Sequence, residues 1–217
     1  MNYVIKTLGL CLVLVLSINL NAQTTSFGAR IGINSATINF SDDESGFEIE
    51  PDSRIGLNIA AILNVGITEE FSIQPELNFL QKGYKVETDF LGDEIENKIT
   101  LNYLEVPILA KYAFGSETIQ GFVLGGPAVG YAISGKFKTE ENGESNEEDV
   151  DFEEDGIKRL DFGFDLGGGL GIVTESATIF VDIRYLFGIA NIGDEDFNDG
   201  SIRNRGLNIA VGALFPL

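Results

Sequence analysis

The stretch Leu160-Asp161-Phe162-Gly163-Phe164-Asp165-Leu166-Gly167-Gly168-Gly169-Leu170-Gly171-Ile172 separates into two sets when read two residues at a time. Leu160, Phe162, Phe164, Leu166, Leu170 and Ile172 fall on one face, and Asp161, Gly163, Asp165, Gly167, Gly169 and Gly171 on the other. Successive side chains of a β-strand point to opposite faces, so a period of two predicts a strand. Residues 54–66 repeat the arrangement, with Ile55, Leu57, Ile59, Ala61, Leu63 and Val65 against Gly56, Asn58, Ala60 and Asn64. One apolar face and one small, polar face over about ten residues is the pattern of a membrane-spanning β-barrel strand.

Working outward, eight alternating segments cover residues 26–36, 54–66, 71–84, 99–114, 118–134, 160–173, 177–188 and 205–217. The segment at 118–134 is apolar on both faces, and alternation alone does not orient it. The connections at 68–70, 115–117 and 174–176 are short turns. Those at 37–53, 85–98, 135–159 and 189–204 are long. Short turns on one rim and long loops on the other are the outer-membrane arrangement. The long loops hold 25 of the 34 acidic residues, so the negative charge gathers on the predicted extracellular rim.

Residues 1–22 read as a secretory signal peptide: Lys6, then the apolar run from Leu8 to Leu16, then a polar stretch ending at Ala22. Cys11 leaves with it, so residues 23–217, the predicted barrel domain, contain no cysteine. The formal net charge of −20 repels nucleic acid, whose recognition rests on Lys and Arg neutralising phosphates.

Alternation does not by itself distinguish a membrane barrel from a soluble, lipocalin-like periplasmic barrel with an apolar ligand cavity. The polar face decides. It consists of Gly, Asn, Ala and isolated charges, which suit a crowded interior better than a water-facing sheet. Arg30, Arg54, Glu76, Lys82, Glu105, Lys111, Asp161, Asp165, Asp182 and Arg184 all fall on it. Five acids balance five bases, which predicts an interior ion-pair network, with Asp182 and Arg184 pointing into the barrel as Glu105 and Lys111 do. Phe27, Phe71, Tyr103, Phe114, Tyr131, Tyr185 and Phe215 are the expected interfacial aromatics. The prediction is an all-β, eight-stranded, antiparallel up-and-down transmembrane β-barrel.

Four features together resemble the PorT-like outer-membrane β-barrel proteins of Gram-negative bacteria. They are Asn21-Ala22-Gln23, the segment Tyr103-Leu104-Glu105-Val106-Pro107-Ile108-Leu109-Ala110-Lys111-Tyr112, Gly125-Gly126-Pro127, and the terminal Phe215-Pro216-Leu217. The resemblance implies an outer-membrane barrel, with some relatives assisting protein secretion. It supplies no catalytic motif.

Chemistry is sparse. The chain has no histidine, and without a cysteine after residue 22 the usual base and nucleophile pairs are missing. The expectation is a non-enzyme with no catalytic, cofactor or metal site. The run from Asp194 to Gly200 resembles the start of a calcium loop. However, Asp199 stands where glycine is required and Arg205 replaces the closing glutamate. Gly167 to Gly169 lie inside a strand with no following helix, so they are packing glycines rather than a phosphate loop. The functional expectation is a plugged barrel with acidic extracellular loops, serving a structural or interaction role in secretion or surface organisation. Its expected partners are outer-membrane lipid, lipopolysaccharide through divalent cations, and a protein at the loops. A narrow solute pore is the alternative.

Overall fold

The computed structural model describes residues 25–41, 51–90, 93–141, 144–194 and 200–217. The expected signal peptide lies outside them, as do residues 195–199 of the calcium-like run. Nine strands are present: β1 (Thr25–Ser41), β2 (Arg54–Gly66), β3 (Phe71–Phe90), β4 (Asp93–Gly115), β5 (Ile119–Glu141), β6 (Glu144–Asp149), β7 (Leu160–Val173), β8 (Thr178–Gly188) and β9 (Ser201–Pro216). Eight strands pair antiparallel in the order β4-β3-β2-β1-β9-β8-β7-β5, β4 pairing with β5 closes the ring, and β5 alone among them takes a third neighbour, β6. Closure leaves no free edge among these eight, which is what lets strands cross lipid.

Residues 54–66 and 160–173 form strands with the expected bounds. The loops expected at 85–98 and 135–159 are corrected in large part. β3 and β4 remain paired out to Phe90↔Asp93, β4 and β5 out to Ile95↔Glu141, and β6 adds to the outer edge of β5. These strands rise past the apolar band as a four-stranded fin. Charge hid them, because a strand standing in water need not keep an apolar face.

The apolar side chains face outward. Ile31, Ile59, Leu104, Val129, Leu166, Leu170, Ile183 and Ile209 are all exposed on the outer wall, Leu170 by 61%. Aromatic pairs flank this band: Phe27 with Phe215 at 5.8 Å and Tyr112 with Phe114 at 6.4 Å near the short turns, and Tyr185 with Phe187 at 4.4 Å near the loops. Tyr103 does not join them. It is fully buried on the inward face of β4, as its register with Glu105 requires. Above the band on this side, a polar row runs across three strands. Gln81 donates to Asn102 at 2.9 Å, and Asn102 donates to Ser134 at 2.9 Å.

β5 is oriented by the structure. Phe122, Leu124, Gly126, Ala128, Gly130 and Ala132 face inward, while Val123, Val129 and Tyr131 face outward. A bulge then intervenes. Tyr103 pairs with Ala132 but Asn102 pairs with Ser134, leaving Ile133 as an extra residue. Beyond it the inward parity of β5 changes, so a single period of two does not describe the whole segment.

Candidate functional site in the sealed barrel interior

The interior is built as three layers. Nearest the short turns, Ile62, Leu109, Phe122, Leu124, Phe180 and Leu214 pack into a buried apolar cluster. Phe122 and Phe180 meet edge to face at 6.0 Å. Glycines make the room: a Cβ on Gly169 would lie 2.5 Å from the Phe122 ring, and one on Gly212 would lie 2.4 Å from that of Phe180.

The middle layer is charged. All ten predicted inward charges are buried. Arg184, 1% exposed, donates from Nε to Asp182 at 2.9 Å and from Nη1 to Glu76 at 2.9 Å. Arg30 joins the same two carboxylates at 3.3 Å and 3.4 Å and donates to Asn208 at 2.8 Å. Gln74 donates to Glu76 at 2.6 Å. This is a closed group of two guanidiniums and two carboxylates. A second group lies toward the loops, where Lys82 reaches Glu105 at 2.6 Å and Asp161 at 3.0 Å, and Asn204 donates to Asp161 at 2.9 Å. Gly167 gives Arg184 its space, since a Cβ there would come within 2.8 Å of the Arg184 Cγ.

Balance in number does not become five pairs. Glu105 and Lys111 point inward with Asp182 and Arg184 as expected, but they join different surroundings: Glu105 pairs with Lys82. The two residues stand six apart on β4, about 20 Å along a strand, so no common partner is in reach. Lys111 instead lies over the Phe122 ring at 4.3 Å and the Phe180 ring at 5.9 Å, a cation–π setting. Asp165 is 2% exposed, and its Oδ2 has no hydrogen-bond partner among the described residues. Sequence reasoning missed the apolar layer. Its signal was present in bulky residues on the polar parity close to the short turns, namely Ile62, Leu109, Phe180 and Leu214.

The third layer closes the mouth. Leu101, Tyr103 and Ala132 from the wall pack with Val150, Phe152 and Ile192 from the connections. Val150 donates its backbone N–H to Gly135 at 3.0 Å, and Ala132 donates to Arg159 at 2.7 Å. The Arg159 guanidinium stacks 3.9 Å from the Phe152 ring. Ile157 bridges to Gly193, tying the two connections to each other over the opening.

Outside, the fin carries like charges in register. Lys85, Lys98 and Lys138 oppose one another, and the next row is Glu87, Glu96 and Glu140. Neighbouring rows pair: Lys138 with Glu140 at 3.0 Å, Lys136 with Glu147 at 3.1 Å, and Lys85 with Glu87. The hydrogen bond and the charge of Glu147 hold the Lys136 ammonium above its ordinary pKa, and Glu140 does the same for Lys138. Among the described residues, no group of three or more acidic or cysteine side chains is placed to hold a metal ion.

An outward apolar belt around a buried charged interior is the arrangement of a barrel that crosses lipid. The sequence model of the outer membrane protein beta-barrel domain matches residues 21–194. The chain belongs to that family. This outer-membrane barrel therefore resides in the outer membrane of a Gram-negative bacterium, and the soluble lipocalin-like reading is unsupported. Several solved structures are similar to it at low identity. Neisserial surface protein A has 12% identity and a TM-score of 0.45, covering 88% of this chain and 97% of that one. The attachment invasion locus protein of Yersinia pestis has 14% identity and a TM-score of 0.40, covering 89% and 98%. The N-terminal barrel domain of Pseudomonas aeruginosa OprF has 12% identity and a TM-score of 0.37, covering 90% and 100%. No curated protein matches the sequence.

Proposed function

We propose that this outer-membrane barrel is closed to solutes and acts through its extracellular fin and connections, in a non-catalytic interaction or surface-organising role. The observation that carries the reading is the stack of three layers, apolar, charged and apolar, filling the interior from the short turns to the mouth. An eight-stranded barrel has an interior just wide enough for side chains, and here side chains occupy it. Planar-bilayer recording of the pure protein tests this. No steady conductance is expected, and steady channels would replace the reading with a narrow solute pore.

The PorT-like resemblance adds the finer proposal of an accessory to secretion or surface organisation. A non-catalytic role is supported by the lack of histidine and by the engagement of Glu76, Asp182, Glu105 and Asp161 with buried cations. The acidic fin and loops suit two partners: lipopolysaccharide, bridged through divalent cations, and a protein presenting basic residues. Crosslinking from intact cells, followed by identification of the captured species, tests both. Capture that is unchanged when the β6 carboxylates are neutralised would exclude the fin as the contact.

A further inference from the structure

The short-turn rim carries Glu69, Glu70, Glu117 and Glu175 and no lysine or arginine. Bases outside the lumen all stand on the long-loop side of the apolar belt. On the fin, Lys85, Lys136 and Lys138 each pair with a glutamate. Arg203 and Arg205 on β9 have no ion-pair partner among the described residues. Both share the outward parity of Leu207, Ile209 and Val211, since Asn204, Gly206 and Asn208 face the lumen and are buried. The Arg205 guanidinium lies 5.8 Å from the Phe187 ring on the outer wall and donates to the Gly188 carbonyl, which holds it at the upper limit of the belt. The Nε of Arg203 is covered and finds no acceptor among the described residues. Asn39, exposed and opposite Arg203 across the β1–β9 pairing, adds a neutral amide donor. Beneath them Ile33, Leu207 and Ile209 belong to the exposed apolar wall.

We propose that this strip of β1 and β9 seats one lipopolysaccharide molecule of the outer leaflet, with a lipid A phosphate on Arg203 and Arg205 and an acyl chain on Ile33, Leu207 and Ile209. Residues two apart on one strand face start about 7 Å from each other, so two long side chains can grip one phosphate group between them. Guanidinium forks match phosphate oxygens and bind them through charge-assisted hydrogen bonds. Charge favours this occupant. In a chain of formal net charge −20, two outward guanidiniums lack an acid among the described residues and call for an anion from outside. A soluble anion would use the arginines alone, whereas an amphiphile uses the apolar wall below them as well. The acidic short-turn rim disfavours anionic headgroups, so the asymmetry selects the outer leaflet. This seat rests on the reading of lipopolysaccharide as a partner, and it needs no bridging cation.

Native mass spectrometry of the full chain, refolded in detergent micelles and titrated with bisphosphorylated lipid A in EDTA, tests this. Binding should saturate at one lipid A per barrel. Arg203→Gln combined with Arg205→Gln should weaken it by about tenfold or more, the scale of one charge-assisted hydrogen bond, while the barrel keeps its folded shift on electrophoresis. Arg203→Lys with Arg205→Lys should restore part of the loss, and lipid A stripped of both phosphates should reproduce it. Lys136→Gln with Lys138→Gln, on the fin, should leave binding unchanged. Undiminished binding by the arginine-to-glutamine double variant would place the seat elsewhere, and equal binding of phosphatidylglycerol would reduce it to a general attraction for anionic lipid. Either result overturns the proposal. Binding seen only when calcium replaces EDTA would keep lipopolysaccharide as a partner bridged through cations and remove the direct seat. No binding in either condition would remove both.

Discussion

Arg184 and Ile183 are adjacent on β8 and face opposite solvents. Arg184 is held by Asp182 and Glu76, both fully sequestered, whereas Ile183 is 49% exposed on the lipid-facing wall. Arg184→Leu leaves two carboxylates sharing Arg30 and should cost about 3–5 kcal/mol. Ile183→Arg should cost about 2–4 kcal/mol, for the opposite reason that it places charge in hydrocarbon. Ile183→Leu should be tolerated. Urea unfolding in lipid vesicles measures all three, and a near-neutral Arg184→Leu would place that residue outside the barrel. Lys111 provides the contrast. Its contacts are aromatic rings rather than a carboxylate, so Lys111→Met should cost about 2 kcal/mol, the scale of a desolvated cation–π contact. A loss as large as that of Arg184→Leu would show that the long-range field of Glu76 and Asp182 dominates at Lys111.

Among the elements, β5 serves two purposes. Its lower half donates Phe122 and Leu124 to the apolar layer, and its upper half, beyond the bulge at Ile133, carries the fin. The halves should respond differently to mutation. Phe122→Ala removes a ring packed on Phe180 and should cost about 3–5 kcal/mol by opening a cavity. Replacing Glu144–Asp149 with serine and glycine should leave unfolding unchanged within about 0.5 kcal/mol, because every residue of β6 is exposed. The Lys136–Glu147 pair lost with it stands in water, where such pairs contribute little. Thermal and urea unfolding of the two variants side by side would test the division. A large loss on removing the β6 side chains would mean that the fin braces the barrel.

At the scale of the whole molecule, the layers close the lumen redundantly. Removing the cap, for example by exchanging residues 150–158 for a short glycine–serine link, takes away Val150 and Phe152 but leaves the ion-pair groups and the lower apolar cluster. Such a barrel should still show no steady conductance in a planar bilayer. Current through the cap-deleted barrel would assign the seal to the cap alone.

Alternation along each segment, together with the small and charge-balanced composition of the polar face, was enough to determine that the chain is a barrel, which side chains face lipid, and that ten named charges point inward. The reason is local: parity follows from the pleat of a single strand, and each of the ten lies on a segment with one apolar face. β5 resisted for the same reason, since two apolar faces carry no parity signal and the bulge at Ile133 reverses what signal remains. Only the tertiary structure decided which charge meets which. Partners such as Arg30 and Asp182 are distant in sequence and are brought together by ring closure and strand stagger, which no single segment encodes. The same holds for Lys111 over its two rings, for the connections folding across the mouth, and for the unpartnered oxygen of Asp165. Each depends on side-chain reach across the lumen, where distances of a few ångströms separate an ion pair from a buried charge left to find another partner.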